Sequence, residues 1–236
     1  MDLDVTDDLV HGYQEQVFFN TYDGGYCYAP LYVFCGKHLL AAKLRPSNVD
    51  PAFGALSELQ GVIKQIGQQW KNVEILVGGD SAYSRDDIMT WCESQMGVDY
   101  IFGLVQNSRL IGMDRTTQSL ETMFKIDEEL AEFAGELINN SIWYKSLDYK
   151  TRESWSRSRR VVFKVEYGVK ETNLRFVVTS LSTNKVPPSQ LYRQKYCQRG
   201  EMENRFKEQQ LELFSDRTSN HTFAGNQLGL WFSSIA

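Results

Sequence analysis

The chain has 236 residues, 42% hydrophobic and 13% aromatic, which is enough for a sizeable core and excludes a disordered tail-like protein; the length fits one domain with an insertion or two small domains. Its formal net charge of -5 argues against a uniformly basic nucleic-acid binder, because Lys and Arg supply affinity for phosphate by releasing counter-ions. No run is long and apolar enough to cross a membrane, the acidic start Met1-Asp2-Leu3-Asp4 is unlike a signal peptide, and Cys27, Cys35, Cys92 and Cys197 lack any CxxC pairing, so the expectation is a cytoplasmic protein with reduced thiols and no membrane partner.

Leu3 and Val5 alternate with Asp2 and Asp4 in a period of two, which predicts a strand with both carboxylates on one face. After the turn Asp23-Gly24-Gly25, residues 26–35 and 38–44 are apolar, aromatic and β-branched and read as a hairpin across Cys35-Gly36-Lys37, stopped at Arg45-Pro46. Phe53, Leu56, Leu59, Val62, Ile63 and Ile66 recur at helical spacing within 51–70. A short buried strand at 73–77 then runs into Gly78-Gly79-Asp80-Ser81, followed by a helix at 85–96 and a strand at 98–104. This order predicts an α/β domain with a mixed sheet.

Residues 109–190 break the rhythm. A helical patch near 119–135 precedes strand-like runs at 141–149, 159–167 and 174–181, which read as a β-rich insertion. Between Trp143 and Arg175 there are nine Lys or Arg against four acids, with Trp143, Tyr144, Tyr149 and Trp155 interleaved. Such a stretch fits a DNA-backbone clamp through Arg157, Arg159, Arg160 and Trp155, although a solvated hairpin with charged faces has the same composition. Pro187-Pro188 leads into a long polar helix expected at 189–213, and a final apolar helix is expected at 220–235.

Two carboxylates at strand ends, Asp4 and Asp80, and a third on the late helix, Glu203, form the constellation with chemical content. Three acids brought together repel one another unless a cation joins them, and hard oxygen ligands select Mg²⁺ or Mn²⁺. On spacing alone each is equally readable as a solvated surface charge. Asp2 is the main rival to Asp4, and His11 reads as part of a His-Gly turn rather than as a general base.

The segments Asp4-Val5-Thr6-Asp7-Asp8 with His11-Gly12, Gly79-Asp80-Ser81-Ala82-Tyr83, and Tyr196-Cys-Gln-Arg199-Gly-Glu-Met-Glu203 resemble the DDE transposases of bacterial insertion sequences. The likeness is to the group whose third acid lies in a Tyr-x2-Arg-x3-Glu-x6-Lys signature, and it spans almost the whole chain. The resemblance implies a ribonuclease H-like α/β fold, a mixed sheet flanked by helices, with the core in 1–108 and 191–236 and the β-rich insertion in 109–190 between the second and third acids. It also implies a catalytic, metal-binding triad of Asp4, Asp80 and Glu203 with two Mg²⁺ or Mn²⁺ ions, acting in strand cleavage and strand transfer at transposon ends. Double-stranded DNA is the implied partner, and members of the group pair two DNA ends as homodimers; on the helix, Arg199 stands one turn before Glu203, where it reaches a phosphate or pairs with Glu203 itself, and Tyr196 on the same face stacks on a nucleotide or packs against the core. One departure stands out: the signature's Lys, which contacts DNA phosphate in the family, falls at Gln210, and Lys207, one turn after Glu203, is the candidate substitute but lies in a different register.

Members of the group carry a DNA-reading domain ahead of the first acid, whereas here the first acid lies three residues from Met1, so a truncated element is expected. A silent remnant that binds only DNA or a full-length transposase, and a stand-alone nuclease of the same fold, are the alternatives.

Overall fold

The computed structural model describes residues 1–22, 24–113, 141–167 and 172–235. The helical patch expected near 119–135 lies outside the described residues. Strands β1 (Asp2–Val5), β5 (Leu31–Cys35), β6 (His38–Lys43), β7 (Ile75–Gly79), β8 (Val98–Leu104), β9 (Ser141–Tyr149), β10 (Arg159–Tyr167) and β11 (Thr172–Thr179) form one sheet in the order β6-β5-β1-β7-β8-β11-β10-β9. The centre is parallel, β1 with β7 and β7 with β8, and both flanks are antiparallel. Strands β2 (Asp8–Leu9), β3 (Phe18–Asn20) and β4 (Gly25–Tyr28) make a second, three-stranded sheet.

Helices cover both faces of the large sheet, as alternation of buried side chains along its strands requires. On one face, Leu59 and Ile63 of helix α1 (Ala55–Gln69) and Ile88, Met89 and Cys92 of helix α2 (Asp86–Ser94) pack with Leu3, Val77 and Phe102 and, further along, with Val161, Phe163 and Phe176. A single core therefore runs from β1 to the strands of 141–179, which continue the sheet through the β8–β11 pairing. On the other face, Leu191 and Tyr192 cover Ile101, Val162 and Val177, while Met202 and Phe206 cover Tyr32 and Phe34 together with Leu230. Helix α1 starts at Gly54, whose φ of 79° is a left-handed conformation that glycine adopts without strain. Asp86 and Asp87 open α2, where negative charge favours the exposed N–H groups of the first turn.

Two elements depart from the sequence expectation. The apolar run 26–35 is two strands broken at Ala29-Pro30, because proline has no N–H to donate to a ladder: β4 joins the small sheet and β5 the large one. The helix expected at 189–213 is a continuous helical path of mixed pitch. Beyond helix α3 (Ser108–Met113) and the strands of 141–179, a short α-turn at Pro188–Gln190 is followed by a π-helical segment at Leu191–Tyr196, a 3-10 segment at Cys197–Gly200, helix α4 (Glu201–Lys207) and a second π segment at Glu208–Glu212. After a loop, the chain ends in helix α5 (Phe223–Ile235).

Arg45 locks the edge of this architecture. It is 2% exposed, and its guanidinium donates to the carbonyls of Ala29 at 2.9 Å, Pro51 at 2.8 Å and Phe53 at 2.8 Å. These bonds join the β4–β5 break to the segment that enters α1. Arg45→Met keeps the apolar stem but orphans three carbonyls, so it is expected to lower the unfolding free energy by about 3 kcal/mol with an unchanged denaturant m-value in urea titrations.

Candidate active site

Strands β1 and β7 are adjacent and parallel, with Asp2 opposite Gly78, so their C-terminal ends lie on the same edge of the sheet. Asp4 is near the end of β1 and Asp80 follows the last residue of β7. Both line one cavity of about 300 Å³, together with Thr6, Arg45 and Tyr83. Strand ends in a sheet of this kind are where ligands are usually held.

Glycines at this edge make room for side chains. A Cβ on Gly78 would lie 2.2 Å from Asp2 Oδ1, one on Gly79 would lie 2.7 Å from Tyr83 Cδ2, and one on Gly103 would lie 2.8 Å from the Tyr196 hydroxyl. The glycines before Asp80 thus admit Asp2 and Tyr83 rather than a ligand directly.

Asp80 is exposed and accepts a 2.9 Å bond from the Ala82 amide, capping the 3-10 turn Ser81–Tyr83 that turns the chain away from β7. The Tyr83 hydroxyl is buried without a hydrogen-bond partner, and burial, reinforced by Asp4, raises its pKa and keeps it a donor. Asp4 Oδ1 accepts from the Val5 amide at 2.9 Å, which leaves Oδ2 facing Arg199 Nη2 at 3.6 Å. Burial pushes the Asp4 pKa up to about 6, opposed by the Val5 amide and Arg199 and assisted by the negative charges of Asp80 and Asp2.

Arg199 comes from the 3-10 segment of the C-terminal helical path. Its side chain is 12% exposed, with Nε 3.7 Å from Asp2 Oδ1, and it lies 5.7 Å from the centre of the Tyr196 ring. The expected sharing of one face by Asp2 and Asp4 is what lets one guanidinium reach both. Glu203 lies on α4, between Arg199 and Gln210, whose Nε2 donates to the Asp7 carbonyl at 2.9 Å. The backbone of α4 therefore runs past the end of β1, while the Glu203 side chain lies outside the described residues. Among the described residues, no group of three or more His, Cys, Asp or Glu side chains is placed to hold a metal ion. Gln210, at the signature's Lys position, is thus engaged with β1's connection, and Lys207 is exposed.

The expected DNA contacts in the basic stretch divide. Trp155 and Arg159 are 3% and 4% exposed, which corrects their assignment as DNA-binding residues. Arg159 donates to Glu93 at 2.8 Å, Asp86 at 2.7 Å and Thr90 at 2.9 Å, all on α2, and its guanidinium packs over the Trp155 ring at 5.6 Å. Trp155 Nε1 donates to the Ser84 carbonyl at 3.3 Å. Here the mix of Arg and aromatic residues clamps the β9–β10 loop onto the helix after Asp80, with desolvated cation–π and ionic contacts in place of phosphate. Arg160 is likewise occupied, donating to the carbonyls of Leu181 at 2.7 Å and Val186 at 3.1 Å. Arg157 pairs with Glu93 at 2.7 Å but its side chain stays 60% exposed. Sequence reasoning did not single out Tyr83, Arg45 or Gly103; of these, only Tyr83 carried a signal, its place in the Asp80 turn.

A family model described as transposase DDE domain, group 1, matches residues 1–236. The chain belongs to this family. No curated protein matches it. Among solved structures it is similar to one described as the cryo-EM structure of piggyBac transposase synaptic complex with hairpin DNA, at 9% identity and a TM-score of 0.46. That match covers 99% of this chain and 44% of the other, so the chain spans less than half the length of that transposase.

In this DDE domain the α2 clamp separates structural from surface arginines. Arg159→Ala leaves Glu93, whose side chain is 8% exposed, with only the Tyr100 hydroxyl and the exposed Arg157 as partners, and is expected to cost about 3 kcal/mol of stability. Arg157→Ala is expected to change stability by less than about 1 kcal/mol. Chemical denaturation of the two variants checks the contrast.

Proposed function

We propose that this DDE transposase domain cleaves and joins DNA strands at transposon ends in a reaction dependent on Mg²⁺ or Mn²⁺, with Asp4, Asp80 and Glu203 as its catalytic, ion-holding acids. The observation that supports this reading is the convergence of Asp4 and Asp80 on one cavity at the C-terminal edge of two parallel strands. Carboxylate oxygens are the donors such ions take. Asp4 is held partly buried beside two other carboxylates at a pKa near 6, a cost that a hard cation bound through oxygen would relieve. Two ions bound there would activate a water or 3′-hydroxyl and stabilise the leaving oxygen of an in-line displacement at phosphorus.

The protein's own groups position the strand. Arg199, at the rim of the acids, would offer its fork of N–H donors to a phosphate oxygen of the strand. Tyr196, with its ring against Arg199 and its hydroxyl over Gly103, would orient that guanidinium. Lys207, and Arg157 through the 60% of its side chain left exposed by the Glu93 pair, are the basic residues of the proposed set placed to meet the DNA backbone. Double-stranded DNA is the partner, and a homodimer would pair two ends. No helix among the described residues is long and apolar enough to cross a membrane, and we place the protein in the cytoplasm.

Incubating the chain with double-stranded DNA carrying transposon ends and Mn²⁺ is expected to give strand breaks that vanish in Asp4→Asn, Asp80→Asn and Glu203→Gln, all with unchanged circular dichroism. Cleavage by Asp80→Asn at the wild-type rate would contradict the assignment.

A further inference from the structure

The chain forms a second cleft, of about 620 Å³, between the start of β2 and the loop that follows the C-terminal helical path, lined by neither Asp4 nor Asp80. Three side-chain groups lining it have buried oxygens without a hydrogen-bond partner: both carboxylate oxygens of Asp8, Oε1 of Gln14 and Oγ1 of Thr218. Asp8 is 2% exposed and Thr218 6%. The Gln14 amide is oriented by its own Nε2, which donates to the Thr218 carbonyl at 3.1 Å, so Oε1 is the group left over. The Thr218 hydroxyl is near enough to Asp8 to favour its charged form without meeting the geometry of a hydrogen bond.

Asp7 and Asp216 also line the cleft and add negative charge. With burial as the larger cause, they push the Asp8 pKa up to about 8. The cleft's arginine does not answer this charge, because the Arg217 guanidinium lies over the Phe214 ring at 4.1 Å.

Unpaired buried acceptors each carry a desolvation cost, and four of them around one space, with a carboxylate among them, form a set that a cation would satisfy together. The geometry points to a structural cation site at Asp8, Gln14 and Thr218, separate from the proposed catalytic acids and suited to a hard ion of the Ca²⁺ type. Carboxylate, amide and hydroxyl oxygens are the ligands such an ion takes, and no sulfur donor lines the cleft that would draw a softer metal. A bound ion would tie the start of β2 to the loop after the helical path that carries Glu203. It would act beside the Gln210 bonds to the Asp7 carbonyl and the Thr6 hydroxyl, which bridge the same two parts of the chain.

The test is isothermal titration of Ca²⁺ into the full chain carrying Asp80→Asn, so that the proposed catalytic acids are disabled and no cleavage is read. One ion per chain is expected to bind and to raise the melting temperature. Adding Asp8→Asn or, separately, Thr218→Val is expected to weaken binding by about tenfold or more while cooperative unfolding is retained. No Ca²⁺ binding to the Asp80→Asn chain, or equal affinity with and without Asp8→Asn, would overturn the site and leave the assignment of Asp4 and Asp80 untouched.

Discussion

Arg199 sits between Asp2 and Asp4 at 3.6–3.7 Å and joins the last third of the chain to its first strand. Two opposite charges about 4 Å apart attract by roughly 4 kcal/mol where the effective dielectric is near 20, so a mostly buried guanidinium facing two carboxylates is a strong local constraint before desolvation is subtracted. Its consequences reach outward. Arg199 fixes where the helical path crosses the end of β1, and with it the backbone position of Glu203. It also holds charge against Asp4, whose burial would otherwise push its pKa higher still.

The large sheet makes that crossing possible. Parallel pairing of β1 and β7 brings two acids, seventy-six residues apart in sequence, to one edge, and the absence of side chains at Gly78 and Gly103 leaves space for Asp2 and Tyr196. Because β8 pairs with β11, the strands of 141–179 share the core under α1 and α2, and Arg159 and Trp155 bind them to the helix that follows Asp80. The site edge is thereby braced from both sides, by Arg45 under the β4–β5 break and by the Arg159 cluster behind the Asp80 turn.

Much of this was legible in the sequence. Alternation in Asp2–Val5 placed two carboxylates on one face, and the strands at 98–104, 141–149 and 159–167 lie where period and β-branching put them. What was hidden depends on tertiary partners. Arg159 and Trp155 look like a nucleic-acid surface in composition, and only the opposing Asp86 and Glu93 of α2, some seventy residues away, make them core. The π and 3-10 segments around Tyr196 and Arg199 are equally invisible, since periodicity in a polar helix cannot report a change of pitch imposed by packing on the sheet. The break at Pro30 was readable in principle, but an apolar run on both sides of it masked the change of sheet.

Whether Asp4 and Asp80 share a divalent ion, as proposed, is read by isothermal titration of Mn²⁺ into the wild-type chain, Asp4→Asn and Asp80→Asn. A binding event is expected in the wild type that both variants lose while keeping their cooperative unfolding. Wild-type protein that binds no Mn²⁺ even with DNA present, or variants that bind it as the wild type does, would contradict it.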